Sequence, residues 1–331
     1  MKKLTLLTLT LLLPLLVVMV KADPGSDAAN TQKVANFLQD ISVTIKAEGE
    51  YSSSEGSGVL ITRKIDGRVV TFVWTCGHVV DNLRRVRDVI EDGKSKKIVE
   101  FDGVRIVKEL VEDGRRVGEI NMDARVIKYS DADDGEDLAL LMVGARDYGK
   151  ASAKFLINQK NDIVPIGTNL YHVGSLLGQF GSNSMTSGIV SQVGRVRNKV
   201  IYDQTTVTAF PGSSGGGVYL RDGTYVGMIV RGAGEGFNLM VPIRRMVKWA
   251  TKHDILWAID PSKKVPSVED INKLPIESVS RTSASTGSKK KKEFNTSYPQ
   301  LIRTLDYTSD DINISVGGDR EFNGKAELKF R

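Results

Sequence analysis

The sequence predicts an all-β protein, either a sandwich or a barrel, that ends in a helix. From Ile41 onward, short β-rich runs follow one another and are separated by Gly, Asp, Asn and Ser. Asp66-Gly67 and Asp222-Gly223 are typical of hairpin turns. The 32 glycines also suit a turn-rich β protein better than a helical one. The predicted strands are Gly56–Thr62, Val69–Thr75, Val104–Leu110, Asn121–Tyr129, Asp137–Val143, Leu170–Val173, Thr186–Val193, Lys199–Thr208, Gly216–Leu220, Thr224–Val230 and Phe237–Val241.

Three other segments have patterns of their own. Residues 27–40 predict a short helix that ends near Gln39. Residues 82–124 are dense in charge, which predicts solvent-exposed hairpins and a short helix after Val80; a regulatory or partner-binding surface is the alternative. Pro242–Ile259 predicts a helix with one apolar and one polar face. The polar face is assigned to Arg244, Arg245, Lys248 and Lys252.

The length of 331 residues suits one domain of about 200 residues with an extension at each end. An apolar run over residues 4–20 follows two lysines and precedes small residues, which predicts a secretory signal peptide over residues 1–22. An uncleaved membrane anchor formed by residues 4–20 is the alternative. Residues 23–260 are the predicted domain. Residues 261–331 are a predicted polar, basic tail, with a flexible Ser/Thr/Lys-rich linker at 278–297 and a weakly alternating end that favours a hairpin.

Charge and composition exclude several classes of function. The formal net charge is +6, but residues 1–22 and residues 262–331 each contribute +3, which leaves the body neutral. A neutral body does not have the basic surface expected of a nucleic-acid-binding domain. The run Lys289–Lys292 lies in the polar tail, where such lysines are usually solvated. With Cys76 as the one cysteine and three histidines, the sequence shows no zinc-site spacing and implies no metal or organic cofactor.

Three local motifs contain residues suited to chemistry. His78 closes an apolar strand in Trp74–Val80, where a structural histidine is the alternative. Asp137 begins an apolar strand after Glu136; a buried carboxylate there needs a hydrogen-bonding partner, whereas a strand-start acid facing water is the alternative. Ser214 lies in the glycine-rich run Phe210–Gly217, where glycines permit a tight turn with backbone N–H groups beside an exposed hydroxyl.

The three residues occur in the order His, Asp, Ser, and the sequence around them resembles trypsin-like serine peptidases. The resemblance is strongest to the disulfide-free HtrA (DegP-type) branch and spans roughly residues 40–258. It implies two six-stranded antiparallel β-barrels with the active site between them. It also implies that Ser214 is the nucleophile, His78 the general base and acid, and Asp137 the residue that orients the imidazole. The motifs that resemble this branch are Gly56–Ile61, Thr75–Val80, Asp137–Leu141, Thr186–Val190, Pro211–Gly216, Gly236-Phe237 and Val241-Pro242.

The same resemblance implies an oxyanion hole and a specificity pocket. The backbone N–H groups of Gly212 and Ser214 form the implied oxyanion hole. Thr208 is placed at the base of the primary pocket, with Val230, Arg231 and Gly232 along its wall. Since none of these is acidic, we expect a medium apolar side chain rather than Lys or Arg there. Arg231 contacting an acidic substrate residue is the alternative.

The sequence departs from the resemblance in two places. Ser213 stands where many zymogen-activated relatives have an aspartate, so activation by a newly freed N-terminus is not expected. The tail after residue 260 is shorter and more polar than a PDZ domain, so we expect no PDZ domain.

The sequence therefore predicts an exported serine endopeptidase that acts on polypeptides. The alternatives are a catalytically inactive binding module on the same fold, an esterase, and a membrane-associated scaffold that uses the basic tail. An α/β-hydrolase is excluded because that fold places its serine first. Nucleic acid is not an expected partner, and we expect membrane contact only through an uncleaved N-terminal segment. The sequence makes no prediction of the oligomeric state.

Overall fold

A computed structural model describes residues 24–277, except 92–93, 113–114, 134, 146–147, 149–150, 158–162 and 233–235. The predicted signal peptide at 1–22 and the predicted linker at 278–297 lie outside the described residues, as do Lys289–Lys292 and the hairpin favoured at the C-terminal end. None of the helices in the described ranges has both the length and the hydropathy that a membrane crossing requires.

The N-terminal half forms a closed six-stranded barrel. The Asp66-Gly67 turn is confirmed: both residues have positive φ, 49° and 78°, and they join two antiparallel strands. A hairpin follows the predicted short helical turn at Asp81–Leu83 and lies outside the barrel. The barrel strands, in hydrogen-bonded order, are β1 (Ser42–Glu48), β2 (Ser53–Ile65), β3 (Arg68–Thr75), β8 (Leu138–Val143), β7 (Arg115–Ser130) and β6 (Val104–Glu112); the hairpin consists of β4 (Arg84–Glu91) and β5 (Lys94–Phe101).

The C-terminal half forms a second six-stranded ring, because its first and sixth strands also pair. The Asp222-Gly223 turn is confirmed, with Gly223 at φ +83° and the Asp222 carboxylate accepting from the Thr224 N–H. The prediction of two six-stranded barrels is therefore confirmed. The ring strands, in order, are β13 (Gly217–Tyr219), β10 (Asn169–Leu176), β11 (Gly181–Arg197), β12 (Val200–Thr205), β15 (Asn238–Pro242) and β14 (Thr224–Gly232), and the short β9 (Lys154–Phe155) adds in parallel to β14.

One barrel strand, β1, was not predicted. Its apolar residues Val43, Ile45 and Ala47 alternate and are buried, which is the expected period of a strand. Its polar residues Ser42 and Thr44 are buried as well, because their hydroxyls bond the Leu38 carbonyl and the Ser175 hydroxyl. These buried polar positions masked the alternation.

The helices differ from the predictions mainly at their ends. Helix α1 spans Pro24–Asp40. Helix α2 spans Ile243–Lys252 rather than reaching Ile259, because Asp254 adopts left-handed backbone (φ +57°) before a separate 3-10 turn at Leu256–Ala258. The assignment of Arg245 to a polar face was wrong, since Arg245 is buried.

The chain remains packed beyond residue 260. Helix α3 (Val268–Lys273) begins at Ser267, whose hydroxyl accepts from the Asp270 N–H at 3.1 Å. The carbonyl of Ile276 then accepts from the Tyr129 N–H at 2.8 Å, which fixes this segment on β7.

Aromatic side chains fix helix α2 and the 3-10 turn that follows it to the first barrel. Trp74 in β3 donates from Nε1 to the Ala258 carbonyl at 3.0 Å and lies edge-to-face with Trp249 of α2. Phe72 meets Trp257 in the same manner at 4.9 Å between centroids. Because α2 follows directly from β15, these contacts hold the two barrels together and set the cleft between them.

Candidate active site

His78 lies in the 3-10 turn Gly77–Val79 that follows the end of β3. The turn needs glycine before the histidine, since a Cβ at Gly77 would lie 2.2 Å from the Ser130 carbonyl oxygen. The imidazole remains 36% exposed, so one edge of the ring faces the cleft.

Asp137 meets the other edge of that ring. Its Oδ2 lies 3.0 Å from His78 Nδ1, and its Oδ1 lies 3.1 Å from Nδ1 and accepts from the His78 backbone N–H at 2.9 Å. Asp137 itself has left-handed backbone (φ +52°) and is completely buried. Since the carboxylate only accepts, Nδ1 donates, which leaves Nε2 as the acceptor facing the cleft.

Burial opposes ionisation of Asp137, but three interactions with His78, together with the charge of Arg231, outweigh it. The attraction of the imidazole and the hydrogen bonds from its ring and backbone lower the pKa of the Asp137 carboxyl below its usual value. Asp137 is therefore ionised at neutral pH. The stability that this pairing contributes is present above the usual pKa and is lost as the pH falls through the lowered one.

Residues 210–216, here called the serine loop, place Ser214 between the barrels. Gly212 and Gly215 have positive φ, +93° and +86°, which a side chain would strain. A Cβ at Gly215 would lie 2.2 Å from the Ser57 carbonyl oxygen, so the loop packs directly on β2. The Ser57 N–H bonds the Ser214 carbonyl at 2.8 Å across the same contact.

Ser214 Oγ is half-buried and lies 3.5 Å from the Val230 carbonyl oxygen. Among the described residues, no hydrogen bond joins it to His78. In unliganded enzymes the hydrogen bond between nucleophile and base is often long, and it tightens when substrate binds.

Two backbone N–H groups of the serine loop have no hydrogen-bond acceptor among the described residues. The Pro211 carbonyl accepts from the Leu177 N–H at 2.8 Å. Because the peptide is trans, the N–H of Gly212 points the opposite way. Within the described ranges, no hydrogen bond takes up the N–H of Gly212 or of Ser214, so both are available to an oxygen in the cleft.

A family model described as a trypsin-like peptidase domain matches residues 56–228. The chain belongs to this family. The match covers β2 through most of β14 and so includes His78, Asp137 and the serine loop.

Two solved structures are similar to this trypsin-like peptidase. One is the serine endoprotease from Yersinia pestis, with a TM-score of 0.47 and 19% identity over 68% of this chain and 66% of that one. The other is the HtrA-type protease AlgW, solved as a serine-to-alanine variant with a tripeptide, with a TM-score of 0.49 and 17% identity over 68% of this chain and 63% of that one. The chain thus spans slightly less than two thirds of each of these proteins. No curated protein sequence matches it.

The residues predicted to line the specificity pocket lie on both sides of the serine loop. Thr208 is exposed, and its carbonyl accepts from Thr186 Oγ1 at 2.9 Å. Val230 is buried, Arg231 is partly exposed, and Gly232 is exposed at the end of β14. In this peptidase the preference for a medium apolar side chain stays a prediction.

Cys76 lies behind the His–Asp pair and has no disulfide partner among the described residues. Its thiol, the His78 imidazole and the Asp137 carboxylate lie within 4.8 Å of one another, which is a metal-binding composition. Burial, followed by the charge of Asp137, raises the pKa of the thiol well above its usual value, so the thiol is neutral, and Sγ lies 3.3 Å from the Ile229 carbonyl. This neutral thiol and the His78–Asp137 pairing fit a peptidase without a resident metal, which stays a prediction.

Arg245 is a site residue that the sequence reasoning missed. Its Nε donates to Glu136 Oε2 at 2.7 Å, and another guanidinium N–H bonds the Glu136 carbonyl. The guanidinium also lies over the Tyr202 ring, 4.6 Å from its centroid. Arg245 thus anchors the residue before Asp137 to the second barrel and helps maintain the left-handed backbone of Asp137.

Ser57 is the second missed residue. It is buried, and its Oγ donates to the Gly212 carbonyl at 2.7 Å while accepting from the Ser175 N–H at 2.7 Å. Its own carbonyl accepts from Thr75 Oγ1 at 2.8 Å. One side chain therefore links β2, β10 and the Gly212–Ser213 peptide, which directly follows the open Gly212 N–H. The glycine-flanked serine was visible in the sequence, but its partners lie far away along the chain.

Replacing Ser57 with Ala should lower kcat for peptide hydrolysis about tenfold and change KM less. The change leaves the Gly212 carbonyl and the buried Ser175 N–H without this partner, which costs on the order of 1–3 kcal/mol and releases the Gly212–Ser213 peptide from its orientation. Steady-state kinetics and thermal unfolding of Ser57→Ala measure both effects.

Thr44→Val is the matched control for this variant. The Thr44 hydroxyl pairs with Ser175 Oγ at 2.5 Å in the same buried network, without touching the serine loop. We expect Thr44→Val to lower the Tm and leave kcat unchanged. Equal kcat values for the two variants at an equal loss of stability would show that Ser57 does not position the loop.

Proposed function

We propose that this chain is an exported serine endopeptidase that cleaves peptide bonds through an acyl-enzyme. The observation that carries the proposal is the His78–Asp137 pair facing a loop that offers both an Oγ and two open N–H groups. His78 Nδ1 is taken up by Asp137, so Nε2 is the nitrogen free to accept a proton from Ser214. Membership of the trypsin-like peptidase family supports the same chemistry.

The acylation half of the reaction follows from these groups. Ser214 Oγ attacks the peptide carbonyl carbon, and its proton passes to His78 Nε2. The oxyanion accepts hydrogen bonds from the N–H groups of Gly212 and Ser214. The imidazolium, stabilised by ionised Asp137, then protonates the leaving amine as the C–N bond breaks, which leaves an ester on Ser214.

Deacylation uses the same groups in reverse. Water attacks the ester carbonyl while His78 Nε2 accepts one of its protons. The second tetrahedral intermediate uses the same two N–H groups. It collapses as the C–O bond to Ser214 breaks, and His78 returns the proton to Oγ, which restores the enzyme and releases the acid product.

Export is supported by residues 1–22, whose lysines, apolar run and small residues fit a secretory signal peptide. The fold needs no disulfide for stability, since both barrels are closed and their apolar residues are buried in one large core. We accordingly propose an extracytoplasmic location with polypeptide substrates.

Fluorophosphonate labelling and casein cleavage by the purified full chain test the proposal. We expect the native protein to be labelled at one serine and to cleave casein, and Ser214→Ala to do neither. Ser95→Ala, which removes an exposed hydroxyl in the β4–β5 hairpin, is the control and should behave like the native protein.

Two outcomes would reject the proposal. Labelling that persists in Ser214→Ala would place the reactive serine elsewhere. A folded native protein that neither labels nor cleaves would instead be a binding module on the same fold.

A further inference from the structure

Arg231 lies beside the serine loop on strand β14. The preceding residue, Val230, has its carbonyl oxygen 3.5 Å from Ser214 Oγ. Val230 is buried, whereas Arg231, which follows an irregularity in the pairing of β14 with β15, is partly exposed. A strand advances by about 3.3 Å per residue. Arg231 can therefore contact a substrate side chain that lies a few residues from the peptide bond held at Ser214.

The guanidinium of Arg231 has no ion-pair partner among the described residues. Its Nε is buried without a hydrogen-bond partner, and no ion pair joins it to any residue that the structure describes. The arginines of helix α2 are neutralised instead: Arg244 pairs with Asp203, and Arg245 pairs with Glu136. A partly buried charge without a partner costs free energy unless a ligand of opposite charge pairs with it.

Two further arginines of the second barrel, Arg195 and Arg197, lie on strand β11. Burial and then the repulsion from Arg231 lower the pKa of Arg197. Arg195 lies over the ring of Phe237, 5.4 Å from its centroid. Acidic groups also act here, because Asp133 and Asp137 lie within electrostatic range of Arg197 and Arg231 respectively. The Asp137 carboxylate attracts Arg231 through space, but its oxygens are hydrogen-bonded to His78 and form no ion pair with Arg231 in the described part of the chain.

The backbone next to Arg231 offers room for an added strand. Residues 229–232 of β14 pair with β15 along one edge only. On the other edge, Ile229 bonds Gly215 and Gly216, and no described strand pairs with residues 230–232. An extended peptide could therefore pair with this edge by β-augmentation.

We propose that Arg231 forms a subsite for a carboxylate side chain of the peptide substrate, two to four residues from the scissile bond. The proposal rests on the proposed endopeptidase function and adds a substrate class to it, namely peptides with Glu or Asp near the cleavage point. The planar guanidinium binds a carboxylate through two parallel hydrogen bonds, which gives direction as well as charge complementarity.

Peptide binding to Ser214→Ala tests the subsite without requiring turnover. The probes are fluorescein-labelled decapeptides of Ala and Val that carry one Glu, moved through every position, each beside its Gln twin. Fluorescence anisotropy should show about tenfold tighter binding of the best Glu peptide than of its Gln twin, in keeping with a charge-assisted bidentate contact. The preference should shrink at high salt, which screens partly exposed charges.

Matched variants assign the preference to Arg231. In Ser214→Ala/Arg231→Gln the Glu and Gln twins should bind equally, and in Ser214→Ala/Arg231→Glu a Lys peptide should become the better ligand. Ser214→Ala/Arg221→Gln removes an exposed charge from the β13–β14 turn and should keep the Glu preference.

Two results would overturn the subsite: equal binding of every Glu and Gln pair to Ser214→Ala, or a Glu preference that survives Arg231→Gln. Fluorophosphonate labelling of the native protein separates this failure from failure of the peptidase proposal, because labelling depends on Ser214 and not on Arg231.

Discussion

Replacing Asp137 with Asn should lower kcat by about 10⁴-fold while the protein stays folded. The reason lies in two donors that face the carboxylate. The backbone N–H of His78 is a fixed donor to Oδ1, so the amide oxygen of asparagine must take that position. The amide NH₂ group then replaces Oδ2, opposite His78 Nδ1.

This exchange changes the tautomer of the histidine. Facing a donor, Nδ1 becomes the acceptor, and the ring proton moves to Nε2. Nε2 then has no lone pair for the Ser214 proton, although the ring barely moves. Steady-state kinetics should show the loss in kcat, and ¹⁵N chemical shifts of the His78 ring should show the change of tautomer.

Asp133→Asn is the control for the loss of one negative charge in the same loop. Asp133 is exposed, and its side chain does not contact His78. We expect it to retain kcat within about twofold. If Asp137→Asn and Asp133→Asn lose the same small amount of activity, Asp137 does not orient the catalytic base.

The fold was predictable from the sequence because its signals are local. The Asp66-Gly67 and Asp222-Gly223 turns depend on the residue that occupies each left-handed position. Likewise, Gly77 before His78 and the glycines around Ser214 are required by contacts that a Cβ would violate. The segment after residue 260 carried such a signal too, since Ser267 caps α3 through Asp270, three residues later.

The residues that hold the active site in place were harder to predict, because their hydrogen-bonding partners are distant in sequence. Arg245 sits next to Arg244 in a helix, and periodicity alone assigned both to the polar face. Its counter-ion, Glu136, is 109 residues away, so no local pattern marks Arg245 as buried. Ser57 bonds Gly212 from 155 residues away, and only the folded chain reveals that contact.

The pairing of His78 with Asp137 is predictable in kind but not in detail. The order of the motifs favoured the pair, whereas the left-handed backbone of Asp137 and the bond from the His78 N–H depend on the β3 and β8 ends meeting. Those details decide which of the two carboxylate positions the amide oxygen of the introduced asparagine would occupy. They therefore explain why Asp137→Asn should lose activity.

Replacing Gly212 with Ala should lower kcat by about 10²–10³-fold, the cost of losing one oxyanion donor. A Cβ at this position would lie 2.3 Å from the Ser175 carbonyl oxygen and 2.6 Å from the Gly178 nitrogen, both of them backbone atoms that cannot rotate away. The loop must therefore shift, which breaks the bond from the Leu177 N–H to the Pro211 carbonyl and turns the Gly212 N–H out of the cleft. Kinetics on a fluorogenic peptide and thermal unfolding measure the two consequences.

Gly194→Ala separates the backbone cost from the displacement of the loop. Gly194 also has positive φ, +76°, but a Cβ there meets nothing within 4 Å. It should lose stability on the order of 1–2 kcal/mol from the left-handed backbone alone and keep its kcat. If Gly212→Ala behaves in the same way, with kcat within threefold of native, the Gly212 N–H does not bind the oxyanion. A selective loss of kcat would instead place transition-state stabilisation in the Gly212 N–H, whose residue is held by Leu177 through the preceding peptide and by Ser57 through the following one.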